Sequence, residues 1–411
     1  MIIDFHYDIA CPYAYLASTR VEALAARCGA ELRWRPVLLG GLFRHVGGDQ
    51  VPMNAMSAPR ARLNLLDMHR WAAHWGVPLE MPPGHPRRSV DAMRLCVAAD
   101  DATRPKLTHA LYRAYWIEGR DVADRAVLGD IAAAHGLDPE VISRPAVKQG
   151  LFDTTAEAAA RGAFGVPSFW IHDGDGRLIW GQDRLDMVER ALGGTPPVHT
   201  PKPDAGGAQI RFFHDFSSPF SYLASTQIER VAAAHGATVE WRPILLGGLF
   251  RSIGTPDVPL FAMNPTKQAY VGRDVHDWAK HWGVPFRFPS HFPMRSILPL
   301  RVALAEPRLT PTLYRAAWGE DRRIDTPAHI APIIAEAGFD PEALIAATAD
   351  PTLKGQLRSN TEAAAAAGAC GVPTFEVHHP AHAAEAPMLL WGQDRIPMLR
   401  RVLDGWRPPC G

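Results

Sequence analysis

An apolar run at Ile2, Ile3 and Phe5 predicts a short opening strand, followed within a few residues by Pro12. Proline suits the first turn of a helix, where its missing N–H would be unpaired anyway. Val21-Glu22-Ala23-Leu24-Ala25-Ala26 continues that helix to Gly29, and Glu31-Leu32-Arg33-Trp34 predicts a second strand. Residues from about 59 to 160 are rich in alanine, leucine and tryptophan at helical spacing. Strand character resumes at Gly165-Val166-Pro167-Ser168-Phe169-Trp170-Ile171, turns at Asp173-Gly174-Asp175-Gly176, and returns at Leu178-Ile179-Trp180. A last helix starts over Asp183–Val188. The order βαβ, helical insert, ββα predicts a mixed sheet covered by helices.

The pattern is then repeated. Phe5-His6-Tyr7-Asp8-Ile9-Ala10-Cys11-Pro12-Tyr13-Ala14-Tyr15-Leu16-Ala17-Ser18-Thr19 returns, in constant register, as Phe212-Phe213-His214-Asp215-Phe216-Ser217-Ser218-Pro219-Phe220-Ser221-Tyr222-Leu223-Ala224-Ser225-Thr226. Trp34-Arg35-Pro36 and the Leu-Leu-Gly-Gly-Leu-Phe-Arg run after it return at Trp241–Arg251, His74-Trp75-Gly76-Val77-Pro78 at His281–Pro285, Gly165-Val166-Pro167 at Gly371-Val372-Pro373, and Trp180-Gly181-Gln182-Asp183-Arg184 at Trp391–Arg395. A period of about 200 residues is a duplicated domain, because solenoid repeats run roughly 20–50. The expected division is residues 1–195, a Pro/Gly linker over 196–208, and residues 209–411.

Bulk composition narrows the function classes. The 411 residues balance 43 basic against 43 acidic side chains, so no strong field favours nucleic acid or an anionic membrane. No apolar run approaches the ~20 residues that span a bilayer, and the N-terminus carries no signal-peptide pattern. The five cysteines form no C-x-x-C pair and no zinc-like cluster. Reduced thiols and a cytoplasmic location are the expectation.

The chemistry is expected where the copies differ, at the residue before the shared proline, Cys11 in one and Ser218 in the other. Backbone N–H groups and the dipole at a helix N-terminus favour an anion. A serine hydroxyl there can donate to a bound thiolate; a cysteine there is expected to have a depressed pKa. An ordinary helix cap and a buried inert thiol are the plainer readings of Ser218 and Cys11. Gly-Val-Pro before a strand is the second element, since a cis proline in such a turn leaves the preceding backbone polar groups free to pair with an extended ligand.

Strand, x-Pro-helix, helical insert and Gly-Val-Pro-strand resemble the thioredoxin-like fold of the DsbA and kappa-class glutathione transferase superfamily. The fold class expected from the resemblance is α/β, with two tandem thioredoxin-like domains, each carrying an all-helical insertion. Asp215–Ala224, Asn264-Pro265-Thr266-Lys267, Trp278–Pro285 and Trp391–Arg395 are similar to the 2-hydroxychromene-2-carboxylate isomerases in particular. The resemblance implies glutathione as thiol cofactor, with its sulfur held by Ser218. It assigns the peptide backbone of glutathione to Val372 and Pro373, and the γ-glutamyl end to Gln393 and Asp394. Asn264 and Lys267 would contact glutathione and a small aromatic carboxylate substrate, whose anchoring suits a cationic lysine. The first copy keeps Val166, Pro167, Gln182 and Asp183 for glutathione but has Cys11 for the serine and Ser57-Ala58-Pro59-Arg60 for the Asn-x-x-Lys element, leaving Arg60 as its cation. Ala14 stands where disulfide exchange would need a resolving cysteine.

The function so implied is glutathione-dependent isomerisation in aromatic-compound breakdown, with the second copy carrying turnover and the two halves packing as an internal pseudo-dimer. No metal is expected. The alternatives are a DsbA-class thiol oxidoreductase, or a kappa-class glutathione transferase, using Cys11 or Ser218, with one copy non-catalytic. His69/His74 and His276/His281 are each five apart, hence about 140° around a helix, and are expected to be polar packing partners. His378, His379 and His382 are expected in a solvated loop. Trp71, Trp75, Trp278 and Trp282 are expected in helix packing.

Overall fold

A computed structural model describes residues 1–48, 52–202 and 206–408; residues 203–205 of the expected linker, and Cys410, lie outside them. The chain forms two four-stranded mixed sheets with the same topology. The first comprises β1 (Ile2–Tyr7), β2 (Glu31–Pro36), β3 (Ser168–Ile171) and β4 (Arg177–Trp180) in the order β2-β1-β3-β4. The second comprises β5 (Gln209–His214), β6 (Thr238–Pro243), β7 (Thr374–His378) and β8 (Met388–Trp391) in the order β6-β5-β7-β8. The leading strand of each pairs parallel with the next and antiparallel with the strand after Gly-Val-Pro.

Register follows from burial. β1 is central and buried on both faces from Ile3 to Tyr7. Phe5 therefore lies opposite both Trp34 and Phe169, and Phe212 opposite both Trp241 and Phe375. The edge-on aromatic pair is reproduced too, at 5.1 Å between Phe5 and Trp34 and 5.0 Å between Phe212 and Trp241.

Helix α1 (Pro12–Arg27) starts at the expected proline. Its counterpart is split into α4 (Pro219–Ser225) and α5 (Ile228–Ala234). The helical inserts open with α2 (Ala58–Trp75) and α6 (Pro265–Trp282), each closed by a glycine in the left-handed region, Gly76 and Gly283. The halves end in α3 (Leu185–Ala191) and α7 (Ile396–Leu403). Each insert is tied to the loop after its leading strand by one indole: Trp116 Nε1 donates to the Ile9 carbonyl (2.9 Å) and Trp318 Nε1 to that of Phe216 (2.8 Å). Trp71 and Trp278 are buried and pack on Trp75 and Trp282, as expected of helix-packing residues. Among the described residues no helix is long and apolar enough to cross a membrane.

Candidate active site

The loop between each leading strand and helix is built around a buried aspartate. Asp8 accepts from the N–H groups of Ala10 (2.9 Å) and Leu39 (2.8 Å); Asp215 accepts from those of Ser217 (2.9 Å) and Leu246 (2.7 Å). Burial pushes both carboxyls up, while the backbone donors oppose that shift. A threonine from the insert holds the facing loop: Thr155 accepts from Leu38 N–H and Thr361 from Leu245 N–H, each at 3.0 Å. These four residues position the motif, and sequence reasoning assigned them no role. The aspartates lie inside the repeat at an Asx-turn spacing, which is a sequence signal for this role; the threonines carry no signal of that kind.

At the tip, Ser218 is the N-cap of α4. Its Oγ accepts from Ser221 N–H (3.2 Å) and donates to the Val372 carbonyl (3.3 Å). The hydroxyl is thus both helix cap and neighbour of the Gly-Val-Pro turn. The Val372–Pro373 and Val166–Pro167 bonds are both cis. Cys11 occupies the same place in the first half, where its Sγ donates to the Val166 carbonyl at 3.1 Å but caps nothing. The expected depression of its pKa is overturned. Burial raises the Cys11 thiol to about 12, outweighing help from the backbone of Ala14 and Tyr13. Desolvation of a thiolate costs more here than the helix terminus returns.

After each last strand comes a glycine at φ near 107°, Gly181 or Gly392, where a Cβ would strike the aspartate two residues on. Its N–H donates to the carbonyl of the turn proline, Pro167 (3.0 Å) or Pro373 (2.9 Å), joining the two site segments of each half. Gln182 and Gln393 are buried behind them.

Asp183 and Asp394 belong to one buried ion cluster formed by both halves. Arg184 pairs with Asp183 (2.6 Å), Asp394 (2.9 Å) and, in fork fashion, Asp274 of α6 (3.2 and 3.3 Å). Arg395 pairs with Asp67 of α2 (2.7 Å), Asp183 (2.6 Å) and Asp394 (3.2 Å). Four carboxylates thus face two guanidiniums. Burial works to raise Asp183, yet Arg184 and Arg395 hold it below the usual carboxylate range. Asp67 and Asp274 are pushed up by burial despite the same arginines. The repeat motif contained both arginines, but nothing in it says that they reach the other half's aspartates.

The expected substrate residues also meet across the halves. Asn264 is the N-cap of α6, accepting from Lys267 N–H at 2.9 Å, which is a structural task. Lys267 Nζ lies over the ring of Phe164 in the first half (5.9 Å), and the Arg60 guanidinium over the ring of Trp391 in the second (5.6 Å). Each cation therefore leans on an aromatic ring of the other half. Burial, with Arg60 nearby, lowers the pKa of Lys267.

Comparison with known proteins is consistent with this architecture. A family model described as DSBA-like thioredoxin domain matches residues 2–193 and again 209–404. The chain is 30% identical over 194 residues to a 2-hydroxychromene-2-carboxylate isomerase of Sphingobium xenophagum, covering 46% of this chain and 97% of that protein. It is 27% identical over 217 residues to glutathione S-transferase kappa 1 of Homo sapiens, covering 49% and 93%. Among solved structures, a selenomethionine 2-hydroxychromene-2-carboxylate isomerase aligns with TM-score 0.40 and 28% identity over 47% of this chain and 95% of that one.

Proposed function

Because the chain belongs to the DSBA-like thioredoxin-domain family, which it carries twice, we propose that it is a glutathione-dependent isomerase of the 2-hydroxychromene-2-carboxylate type, its Ser218 half carrying turnover. The observation that carries this reading is the Ser218 hydroxyl at a helix N-terminus, 3.3 Å from the Val372 carbonyl. Donors so placed stabilise a thiolate without supplying a redox partner.

The residues present fit glutathione. Ser218 and the N-terminus of α4 would hold its sulfur, and the Val372-Pro373 backbone its cysteinyl portion. The ion cluster has two carboxylates in excess, so Asp394, with Gln393 beside it, suits the ammonium of a γ-glutamyl group. Bound there, glutathione would supply a thiolate that adds reversibly to an enone carbon, permitting rotation before elimination restores the double bond. The task of the chain is then to turn the Ser218 proton from the Val372 carbonyl to the sulfur and to anchor the carboxylate of an aromatic breakdown product. Arg60 and Lys267 supply positive charge for that anchor, each projected from one half against an aromatic ring of the other. On this reading the halves act as an internal pseudo-dimer. The first half retains Val166, Pro167, Gln182 and Asp183 as a weaker thiol-binding site.

The thiol-redox alternative is disfavoured by the burial of Cys11, its pKa of about 12 and the absence of a resolving cysteine at Ala14. Free thiols at Cys11, Cys28, Cys96 and Cys370 suit a reducing cytoplasm. The test is turnover of 2-hydroxychromene-2-carboxylate with and without glutathione, following total free thiol. Isomerisation leaves the thiol concentration constant, whereas a kappa-type transferase consumes it. Turnover that is independent of glutathione, or an unaltered rate in Ser218→Ala, would sink the proposal.

A further inference from the structure

A second constellation lies away from the Ser218 and Cys11 sites, where the linker meets the second half. His199 belongs to the linker. His235 is the C-cap of α5 and 1% exposed, and Asp404 is the C-cap of α7. His199 Nε2 lies 3.0 Å from Asp404 Oδ2, His235 Nε2 lies 3.5 Å from Asp404 Oδ1, and the two Nε2 atoms are 3.4 Å apart.

Proton accounting shows why these contacts are incomplete by themselves. His235 Nδ1 sits 2.7 Å from the Val231 carbonyl, an acceptor, so Nδ1 holds the proton and a neutral ring presents only a lone pair at Nε2. That lone pair faces a carboxylate oxygen and a second imidazole nitrogen. His199 Nδ1, on the other side of its ring, is buried without a hydrogen-bond partner among the described residues. A neutral His199 can still donate from Nε2 to Asp404 Oδ2, but the His235 lone pair and Asp404 Oδ1 face each other with no positive charge between them.

We propose that His199 Nε2, His235 Nε2 and the Asp404 carboxylate form a zinc-binding site that clamps the linker to the second half. With zinc–nitrogen and zinc–oxygen distances of about 2.0–2.2 Å, a tetrahedral site has ligand–ligand edges of roughly 3.3–3.5 Å. The Nε2–Nε2 edge of 3.4 Å lies in that range; Asp404 faces the two rings with different oxygens, and one ligand atom from each of the three residues lies within 4.8 Å of the others, with a water to complete the fourth position. Outer contacts support the ligands as they do in metal sites: Val231 fixes the tautomer of His235, and the Lys202 N–H holds Asp404 Oδ1 at 2.8 Å. Arg400 and Arg401 also act on His199 and disfavour a cation, so affinity is set against their charge. The ligands come from three distant parts of the sequence, which is why no spacing motif announced them. The His378/His379/His382 segment is different: His378 pairs with Glu376, and His382 with Glu385 and the Gly405 carbonyl.

The experiment titrates the untagged full chain with Co²⁺ as a spectroscopic probe, followed by displacement with Zn²⁺. One equivalent with tetrahedral d–d absorption is expected, together with a higher melting temperature in Zn²⁺. His199→Gln and Asp404→Asn should each weaken Co²⁺ binding by more than the roughly 10–100-fold that loss of an outer contact costs. Their far-UV circular dichroism should match that of the parent. His199 lies in the linker, so its variant separates metal loss from misfolding. His379→Gln with His382→Gln should retain the spectrum. Absence of a stoichiometric Co²⁺ site, survival of the spectrum in His199→Gln, or its loss only in the His379/His382 variant would each overturn the proposal.

Discussion

At single residues, the copies differ by substitutions whose consequences burial decides. Ser218 and Cys11 stand at the same helix start against the same carbonyl, but a hydroxyl works as a neutral donor, whereas a thiol must ionise to act and Cys11 is too buried for that. Under the proposed glutathione reading, Ser218→Ala should reduce turnover by roughly 100-fold or more, the scale for losing one donor to developing charge, while Cys11→Ala retains most of it. Iodoacetamide should label the partly exposed Cys28 ahead of Cys11 at pH 8, read by peptide mass spectrometry; Cys11 labelled first would restore a reactive thiol. Buried His6 gives a pH prediction. Burial lowers its pKa to about 4, against the pull of Asp4 and the Ser168 backbone, and among the described residues neither ring nitrogen makes a well-formed hydrogen bond. The unfolded chain takes up that proton near pH 6.5 and the folded one only near 4, so stability falls as pH drops through this window. The loss is about 2 kcal/mol between pH 7 and 5. His6→Phe, the residue the second copy has at Phe213, should raise stability and flatten the pH dependence of urea unfolding between pH 7 and 5.

Among the elements, α2 and α6 carry the expected substrate residues, yet their starts differ. Asn264 caps α6, whereas the equivalent Ser57 makes no cap bond and its Oγ is buried unpartnered. Asn264→Ala should therefore cost about 1 kcal/mol in urea unfolding, the usual worth of a cap. A fall in kcat/KM well beyond what that destabilisation explains would add a substrate contact to its structural task. The sequence pattern located the start of α1 and the positions of β1 to β4 because local periodicity and proline determine them. It did not separate α4 from α5: the repeat continues through Ser225-Thr226, and the interruption at Gln227 has no signature in the apolar spacing.

For the whole molecule, the ion cluster joins the halves. Removing Arg184 leaves Asp183 and Asp394 with Arg395 but takes from buried Asp274 the guanidinium it pairs with, so Arg184→Met should destabilise the chain by about 3–5 kcal/mol, the scale for orphaned buried charge. Guanidinium unfolding should then broaden toward two transitions, because one tie between the halves is gone while the apolar contacts of Trp71 and Tyr270 across them remain. Under the proposed glutathione reading the KM for glutathione should also rise; an unchanged single transition and unchanged KM would make the cluster incidental.

The duplication, the α/β order, the x-Pro helix start and the Gly-Val-Pro turn were legible in the residues alone, because each is a local pattern of apolar spacing and backbone-restricting residues. Ser218 and Cys11 could be singled out for the same reason, as a difference inside a repeat. Tertiary structure alone decided that Cys11 is buried, that Lys267 and Arg60 lean on aromatic rings of opposite halves, and that Arg184 and Arg395 reach across to four aspartates. It also decided that His199, His235 and Asp404 converge. Burial and charge pairing depend on which distant segments fold against one another, and spacing along a chain does not encode that.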